Sequence, residues 1–319
     1  MSTEPAGRQP APRRRVPDFF IVGHHKSGTT ALYEMLRRHP QIFMPDLKEP
    51  RYFGRDLRPL FKAAANSKLP ETYDDYLALF EGAGPEQRVG EASPSYLRST
   101  TAAREIAAVA PQARCIAILR EPASFVRSLH LQLVQEHVET ERDLRTAVEN
   151  EELMREGRPV LRYSDHIHYV EQLKRFHAVF APEQLLVLIY DDFRADNEAT
   201  VRRVLRFLEV DDAAPIEVLD ANPTVAVRSL RVDGALRSLY GERGPVSRAL
   251  KGAVKTLTPP SLRRGAVRAV RRRVAYGSPA PPDERLEAEL RERYAPEVRA
   301  LSDYLGRDLV ALWGYDGVG

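Results

Sequence analysis

The sequence has 319 residues, of which 43% are hydrophobic and 29% charged, with a formal net charge of +3 at pH 7. This length and apolar content predict a globular chain of one large domain, or at most two. The small net charge gives no overall nucleic-acid signature. The single cysteine, Cys115, excludes an intrachain disulfide framework, and no apolar run approaches the roughly 18 residues that a membrane span needs.

The first segment, residues 1–15, is rich in Pro, Ala and Arg and lacks an apolar core. It is therefore predicted to be a disordered basic tail rather than a secretory signal. Residues 16–319 are predicted to form a single domain, in a soluble, reducing setting that we take to be the cytoplasm.

The first predicted element is a buried strand that leads through a loop into a helix. The apolar run Phe19–Val22 predicts the strand, and the loop Gly23–Gly28 is rich in donors and free of acids. A loop that runs into a helix N-terminus presents unpaired N–H groups to an anion. Side-chain donors are added there by Lys26, Ser27, Thr29 and Thr30.

The glycine spacing of this loop is close to that of a Walker A motif, but its lysine is displaced. Thr29 stands where that motif has its lysine, and the lysine of this chain lies earlier, at Lys26. The displacement favours a shorter anion with one 5′-phosphate over a triphosphate. An ordinary strand–turn–helix with a solvated lysine is the alternative.

The run Lys26-Ser27-Gly28-Thr29-Thr30 after a strand resembles the 5′-phosphosulfate loop of sulfotransferases that use 3′-phosphoadenosine 5′-phosphosulfate (PAPS). The resemblance implies PAPS as co-substrate, 3′-phosphoadenosine 5′-phosphate (PAP) as product and no metal. It makes these five residues cofactor-binding and assigns Lys26 a further catalytic role.

The next candidate is a carboxylate flanked by cations, Glu49 between Lys48 and Arg51. Such a group stays ionised and is compatible with a general base, although a surface salt bridge is the alternative on these residues alone. The segment resembles the one that carries the catalytic glutamate in the heparan-sulfate branch of the sulfotransferases. The resemblance implies that Glu49 is the base and that Lys48 assists Lys26.

The run Val89–Leu97 resembles the Gly-Glu-x-(Ser/Thr)-Pro-x-Tyr segment of the same family. Ala92 stands where several relatives have a lysine, so a smaller and less anionic acceptor than a sulfated polysaccharide is expected. A hydroxyl of a secondary metabolite, lipid or simple glycan fits, and an amine fits less well. Glu91 is either a second cleft carboxylate or a residue that orients the loop.

A second strand–turn–helix unit begins at Arg114–Leu119, which includes Cys115 as a buried strand residue. Arg120 follows the strand, at the edge where open α/β sheets bind ligands, and Ser128 lies two helical turns further on. These two residues match the arginine and serine that hold the 3′-phosphate in the family, although an arginine in an ion pair is the alternative.

The run Leu185–Tyr190 is apolar throughout and is predicted to be a central strand. Asp191 and Asp192 follow it and are predicted to be structural. Because strands alternate with helices, a mostly parallel sheet with helices on both faces is expected. Together with the resemblance, this pattern predicts a P-loop-like three-layer α/β sandwich.

Residues 231–280 are strongly basic, with twelve Lys or Arg against two acids. We interpret the segment as a lid over the cofactor, because the family closes its PAPS site with a C-terminal loop; a solvated basic face and a nucleic-acid arm are the alternatives. Arg228, just ahead of it, is a further candidate for phosphate binding.

The sequence therefore predicts a PAPS-dependent sulfotransferase acting on a small-molecule, lipid or glycan acceptor, with no nucleic-acid partner and an open oligomeric state. A P-loop nucleotide kinase or NTPase is the alternative, but it leaves Thr29 and the Arg120/Ser128 pair unexplained. A protein that holds the nucleotide without chemistry is a third possibility, which Glu49 argues against.

Overall fold

A computed structural model describes most of the chain in ranges separated by gaps: residues 15–59, 69–85, 87–136, 138–151, 162–218, 226–227, 276–277 and 281–318. Of the predicted tail only Arg15 is included, and its guanidinium donates to the carbonyl of Gly84 over 2.8 Å. The predicted lid at 231–280, apart from the backbone of Tyr276–Gly277, and Arg228 lie outside the described residues.

The chain divides into two compact units. The first unit comprises Met1–Glu121, Ser164–Ala221 and Pro296–Gly314, and the second comprises Pro122–Tyr163, Asn222–Ala295 and Tyr315–Gly319.

The first unit is built on a five-stranded parallel sheet in the order β2-β3-β1-β4-β5. Its strands are β1 (Phe19–Gly23), β2 (Ile42–Phe43), β3 (Arg88–Ala92), β4 (Arg114–Leu119) and β5 (Leu185–Ile189). The predicted parallel sheet is thus confirmed, and β1 lies at its centre with every residue buried.

The helices of the first unit connect and cover these strands. They are α1 (Thr29–Arg37), α2 (Tyr73–Ala78), α3 (Ala102–Val109), α6 (Tyr169–His177), α7 (Tyr190–Ala195), α8 (Asn197–Phe207) and α10 (Leu309–Trp313). The second unit holds α4 (Pro122–Gln135), α5 (Leu144–Glu149) and most of α9 (Glu284–Leu305). The crossover from β1 to β3 runs in the opposite direction to that from β3 to β4. Since such crossovers are right-handed, α1 and α3 lie on opposite faces of the sheet.

The core on the α1 face is formed by alternate strand residues, because successive side chains of a strand point to opposite faces. Phe19, Ile21, Ile116 and Ile118 pack there against apolar residues of α1 and α8, and all four are fully buried. Cys115 is also fully buried in β4, as predicted, and burial raises the pKa of its thiol.

The prediction of a central position for the strand at 185–190 is wrong. β5 pairs only with β4 among the described strands and forms an edge of the sheet. Its Leu186 and Val187 are accordingly only partly buried. The apolar run reflects helices on both faces, and such covering does not distinguish a central strand from an edge strand.

The acidic pair after β5 is structural, as predicted. The indole Nε1 of Trp313 donates to Oδ2 of Asp191 over 3.0 Å. Arg307 forms a bidentate ion pair with Asp192, with Nη1–Oδ2 at 2.5 Å and Nη2–Oδ1 at 2.8 Å. Both carboxylates therefore anchor the C-terminal end of the first unit.

The second unit contains α4 (Pro122–Gln135), α5 (Leu144–Glu149), the first part of α9 (Glu284–Leu305) and an antiparallel strand pair, β6 (Ala226–Val227) with β7 (Tyr276–Gly277). Within it, Nδ1 of His130 lies 2.9 Å from the hydroxyl of Tyr163, and Arg145 pairs with Glu289 at 2.5 Å. Across the described residues, no helix combines the length and apolarity needed to cross a membrane.

Candidate active site

The loop between β1 and α1 contains two glycines at which any larger residue would force its neighbours to shift. Gly28 has a φ of +86°, and a Cβ there would lie 2.8 Å from the ring of Phe193. A Cβ on Gly23 would lie 2.5 Å from the side chain of Leu97. The backbone therefore approaches its neighbours more closely than any side chain permits.

The end of this loop is suited to an anion. Gly28 is the N-cap of α1 and has no side chain to cap it, and the first turn of the helix carries no acid. The amide groups of that turn and the positive end of the helix dipole are thus left for a ligand. Of the predicted donors, Ser27 is buried and its hydroxyl donates to the carbonyl of His25 over 3.2 Å, whereas Thr30 is exposed.

Lys26 lies in the middle of this loop with a φ of +58°, in the left-handed region that non-glycine residues rarely adopt. Its carbonyl accepts a hydrogen bond from Nη1 of Arg120 over 2.9 Å. The structure therefore brings Arg120, predicted to bind a phosphate, into direct contact with the loop that was predicted to bind another.

Arg120 is held by the residues around the carboxyl end of β4. Its guanidinium lies 4.8 Å from the ring centroid of Tyr190, and its carbonyl accepts from the hydroxyl of Tyr169 over 2.8 Å. Burial lowers its pKa, but a guanidinium remains charged at neutral pH. A fixed, partly desolvated guanidinium of this kind is suited to a bidentate oxyanion.

Ser128, the predicted partner of Arg120, lies on α4 in the second unit. Its side chain is 3% exposed, and its hydroxyl has no hydrogen-bond partner among the described residues. A buried hydroxyl normally finds a partner, so this one is consistent with a ligand. The pairing of Ser128 with Arg120 stays a prediction.

Glu49 is positioned at the carboxyl end of β3. Its N–H donates to the carbonyl of Ala92 over 2.9 Å, and the N–H of Arg51 donates to the hydroxyl of Ser93 over 3.0 Å. The N–H of Ser93 in turn donates to Ile21 of β1 over 3.1 Å. The Glu49 segment is therefore tied to the strand that leads into the anion-binding loop.

The carboxylate of Glu49 is clamped by the two cations that flank it in sequence. Nζ of Lys48 lies 2.9 Å from Oε1, and Nε of Arg51 lies 3.2 Å from Oε2. Burial alone raises the pKa of Glu49, but His25, Lys48 and Arg51 outweigh it and hold that pKa well below its usual range. Glu49 is therefore an ionised proton acceptor at neutral pH, of low basicity while both cations stay on it.

Glu91 has the opposite environment. It is fully buried, accepts from the hydroxyls of Tyr76 over 2.8 Å and Tyr96 over 3.1 Å, and burial raises its pKa to about 7. Tyr96 also accepts from the N–H of Phe53 over 3.2 Å. Of the two roles left open for Glu91, this geometry favours orienting the loop, since the carboxyl group is enclosed by tyrosines.

An aromatic cluster lies beside the Glu49 segment. Tyr52 stacks on Tyr76 at a centroid distance of 4.9 Å and meets Phe53 edge-on at 5.2 Å. The guanidinium of Arg58 lies 5.5 Å from the ring centroid of Tyr52. These rings make a rigid apolar wall next to the ionised base.

Two histidines in the loop, His24 and His25, were not singled out by the sequence reasoning. Nε2 of His24 lies 2.7 Å from Oε1 of Gln172, and burial lowers the pKa of His24 to about 3. Burial likewise lowers the pKa of His25 to about 4. Both rings are therefore neutral at pH 7, and His25 is close enough to Glu49 for each to influence the pKa of the other.

The direct sequence signal for these histidines was their place inside a short glycine-bounded loop. Arg98, which is also buried near them, carries no sequence signal, because its surroundings come from distant parts of the chain. Among the described residues, no group of three or more His, Cys, Asp or Glu is arranged to hold a metal ion.

Comparison with known proteins gives a family match. The model of the sulfotransferase family matches residues 17–214. A solved structure of a sulfotransferase from Alicyclobacillus acidocaldarius has a TM-score of 0.65 and 25% identity, covering 94% of this chain and 99% of that one. This likeness confirms the predicted P-loop-like α/β fold.

The curated relatives match smaller parts of the chain than this solved structure does. Mouse carbohydrate sulfotransferase 15 is 27% identical over 251 residues, which is 62% of this chain and 44% of the relative. Mouse heparan sulfate glucosamine 3-O-sulfotransferase 6 is 34% identical over 116 residues, 35% of this chain and 29% of the relative. The chain therefore spans less than half the length of these relatives.

Proposed function

Because the chain belongs to the sulfotransferase family, we propose that it transfers the sulfuryl group of PAPS to a hydroxyl, or less readily an amine, of a small-molecule, lipid or glycan acceptor. The observation that carries the proposal is the connection between the anion-binding loop and Glu49. Both lie at the carboxyl edge of the sheet, and the hydrogen bonds from Glu49 to Ala92 and from Ser93 to Ile21 link them through β3 and β1.

The residues present fit PAPS. The uncapped start of α1, with Lys26, Thr29 and Thr30, suits the 5′-phosphosulfate. Arg120 suits the 3′-phosphate, and Ser128, whose buried hydroxyl has no partner among the described residues, is predicted from the sequence to share that role. When bound, PAPS supplies the sulfuryl group and a phosphate oxygen that leaves with the electrons of the S–O bond.

Glu49 accepts the proton of the acceptor hydroxyl in this mechanism. Its ionised carboxylate is ready for this role, but Lys48 and Arg51 reduce its basicity. If Lys48 turns from Glu49 towards the anion held by the loop, one movement both raises the basicity of Glu49 and places a second cation, beside Lys26, near the charge that develops on the leaving oxygen.

The remaining catalysis is orientation. Lys26 and the helix N-terminus are fixed by the glycines of the loop, and the Glu49 segment is fixed by backbone hydrogen bonds to β3. Preorganised donors aimed at developing charge are the largest single contribution in many enzymes. No step in this scheme needs a metal, because the donors of the chain carry the charge stabilisation.

The acceptor class is supported by the site and by the relatives. The names of the relatives identify carbohydrate and heparan sulfate as their acceptors, which favours a glycan hydroxyl. Ala92 is buried and places no cation at the end of β3, which favours an acceptor with fewer charges than a sulfated polysaccharide. A cytoplasmic location stays a prediction.

The proposal is tested by ligand binding and by transfer. Isothermal titration should show PAP binding without metal and much weaker binding of ATP with Mg²⁺. Incubation with [³⁵S]PAPS and a panel of phenols, sterols and simple glycosides should label at least one acceptor.

Preference for ATP–Mg²⁺ would instead support the nucleotide kinase or NTPase reading, which the family match does not favour. Tight PAP binding without transfer to any of the acceptors would favour a protein that only holds the nucleotide.

A further inference from the structure

Arg98 is a buried cation that the mechanism above does not use. Its side chain is 9% exposed, and its Nε is enclosed without a hydrogen-bond partner. Among the described residues, Nε is the one guanidinium atom of Arg98 that is both enclosed and without an acceptor; Nη1 and Nη2 are not enclosed in this way. A guanidinium has five N–H donors, and a buried charge normally has them satisfied.

The backbone holds Arg98 next to the anion-binding loop. It follows the short 3₁₀ turn Pro94–Tyr96 that continues β3. The N–H of Leu97 donates to the carbonyl of Val22 over 2.7 Å, just before that loop, and the carbonyl of Arg98 accepts from Nη2 of Arg175 over 3.2 Å. Arg98 is therefore fixed at the carboxyl edge of the sheet.

The turn that carries Arg98 contacts the Glu49 segment, because its N-cap Ser93 accepts from the N–H of Arg51 over 3.0 Å. Arg51, the cation that clamps Glu49, and the two acids Asp165 and Asp56 all act on its pKa, and burial, the largest effect, lowers that pKa to about 10. The charge of Arg98 also lowers the pKa of His25, which the charge of Glu49 raises. The side chain thus remains a cation at neutral pH.

Neither acid neutralises Arg98 directly. Asp56 already accepts from the hydroxyl of Ser99 over 2.6 Å and from the N–H of Thr100 over 2.8 Å, and Asp165 makes no ion pair with Arg98 within salt-bridge distance. Since an enclosed N–H normally has an acceptor and no acceptor is shown for Nε of Arg98, the arrangement is expected to serve a ligand that supplies acceptor atoms.

We propose that Arg98 binds an anionic group of the acceptor, a carboxylate or a sulfate or phosphate monoester, beside the hydroxyl that faces Glu49. The proposal rests on the proposed function. The other source of such a group is the donor, but the loop at 24–30 has its own lysine, hydroxyls and helix N-terminus for that anion. Arg98 also lies on the turn whose first residue, Ser93, accepts from the N–H of Arg51 in the Glu49 segment over 3.0 Å.

This assignment refines the acceptor. Ala92 provides no cation at the end of β3, whereas Arg98 provides one beyond the turn that follows it. The acceptor is then expected to carry a hydroxyl and an acidic group, as a uronic acid or a hydroxy acid does, rather than many sulfates.

The test compares Arg98→Met and Arg98→Lys with Arg104→Met, a control on an exposed arginine that donates one 3.4 Å hydrogen bond to the carbonyl of Thr100. Each protein is saturated with PAP and titrated with inorganic sulfate, 4-hydroxyphenylacetate and the matched 4-hydroxyphenylacetamide. Transfer from [³⁵S]PAPS to the last two is measured in parallel, as is thermal stability.

Wild type and Arg104→Met should bind sulfate and the acid, and should prefer the acid to the amide. Arg98→Met should lose about tenfold or more of the affinity for both anions, with PAP affinity unchanged and thermal stability equal or higher. Arg98→Lys should recover part of the preference. A structural role for Arg98 would lower stability without removing the acid–amide discrimination.

Equal anion binding by wild type and Arg98→Met, or no anion binding by PAP-saturated wild type, would overturn the proposal while leaving the proposed function intact. A parallel loss of PAP affinity in Arg98→Met would assign the arginine to the donor and would also overturn it. If wild type fails to bind PAP at all, the proposed function falls, and this inference falls with it.

Discussion

Replacing Gly28 by alanine should damage both the fold and the anion site, for reasons that the structure gives separately. The residue has a φ of +86°, so any other L-residue there adopts a left-handed conformation. The new Cβ would lie 2.8 Å from two atoms of the Phe193 ring. That ring is 1% exposed and belongs to the core against α1 and α8, so it has little room to withdraw.

The two effects have known sizes. A left-handed conformation costs a non-glycine residue about 1–2 kcal/mol, and forcing an extra carbon into a packed core costs about 1–3 kcal/mol. Gly28→Ala should therefore lower the free energy of unfolding by about 2–5 kcal/mol. Relief of the overlap by a shift of the loop would move the amides at the start of α1, which should weaken PAP binding as well.

The matched control is Gly54→Ala, where φ is −86° and the new Cβ would meet Tyr96 at an ordinary 3.6 Å. Urea unfolding gives the stability of each protein, and isothermal titration gives its PAP affinity. Gly54→Ala should stay within about 0.5 kcal/mol of wild type. If Gly28→Ala matches Gly54→Ala in both measurements, the argument about the loop is refuted.

Three further predictions follow from the charged groups. Lys48→Ala should move the acid limb of the pH–rate profile to higher pH, because the pKa of Glu49 rises when a clamping cation is lost; an unmoved limb would contradict the assignment of Glu49. Glu91 has a folded-state pKa raised to about 7 from 4.5, so its stabilisation is complete below about pH 4.5 and is lost as pH rises through 7. The stability of Glu91→Gln, measured by urea unfolding, should not show this loss. The same pH dependence in wild type and Glu91→Gln would disprove the interpretation of Glu91 as a buried carboxylic acid with a raised pKa. Arg120→Ala should weaken PAP binding about tenfold or more in isothermal titration, and an unchanged affinity would sink the 3′-phosphate assignment.

The elements that the sequence predicted best are those whose pattern is local. The strand at β1, the loop to Gly28 and the start of α1 follow from an apolar run, two glycines and helical spacing within one short stretch. The carboxylate of Glu49 was also predictable, because its two cations are adjacent in sequence. Contacts between residues that are adjacent in sequence can be predicted without knowing the fold.

The features that the sequence did not predict depend on contacts between distant residues. The edge position of β5 is set by the strand order and not by its own apolar residues. The role of Glu91 depends on Tyr76, fifteen residues earlier, whose hydroxyl reaches it. Arg98 looked like one more surface arginine, and only its burial without a hydrogen-bonded partner distinguishes it.

The most direct test of the central claim is single-turnover transfer of ³⁵S from PAPS by Glu49→Gln and Lys26→Ala, measured with PAP affinity. Glu183→Gln, on an exposed carboxylate, is the control. Each of the two site variants should lose about 10²-fold or more of the transfer rate, with PAP affinity preserved in Glu49→Gln. Transfer near the wild-type rate in Glu49→Gln, with PAP still bound, would contradict the assignment of Glu49 as the base.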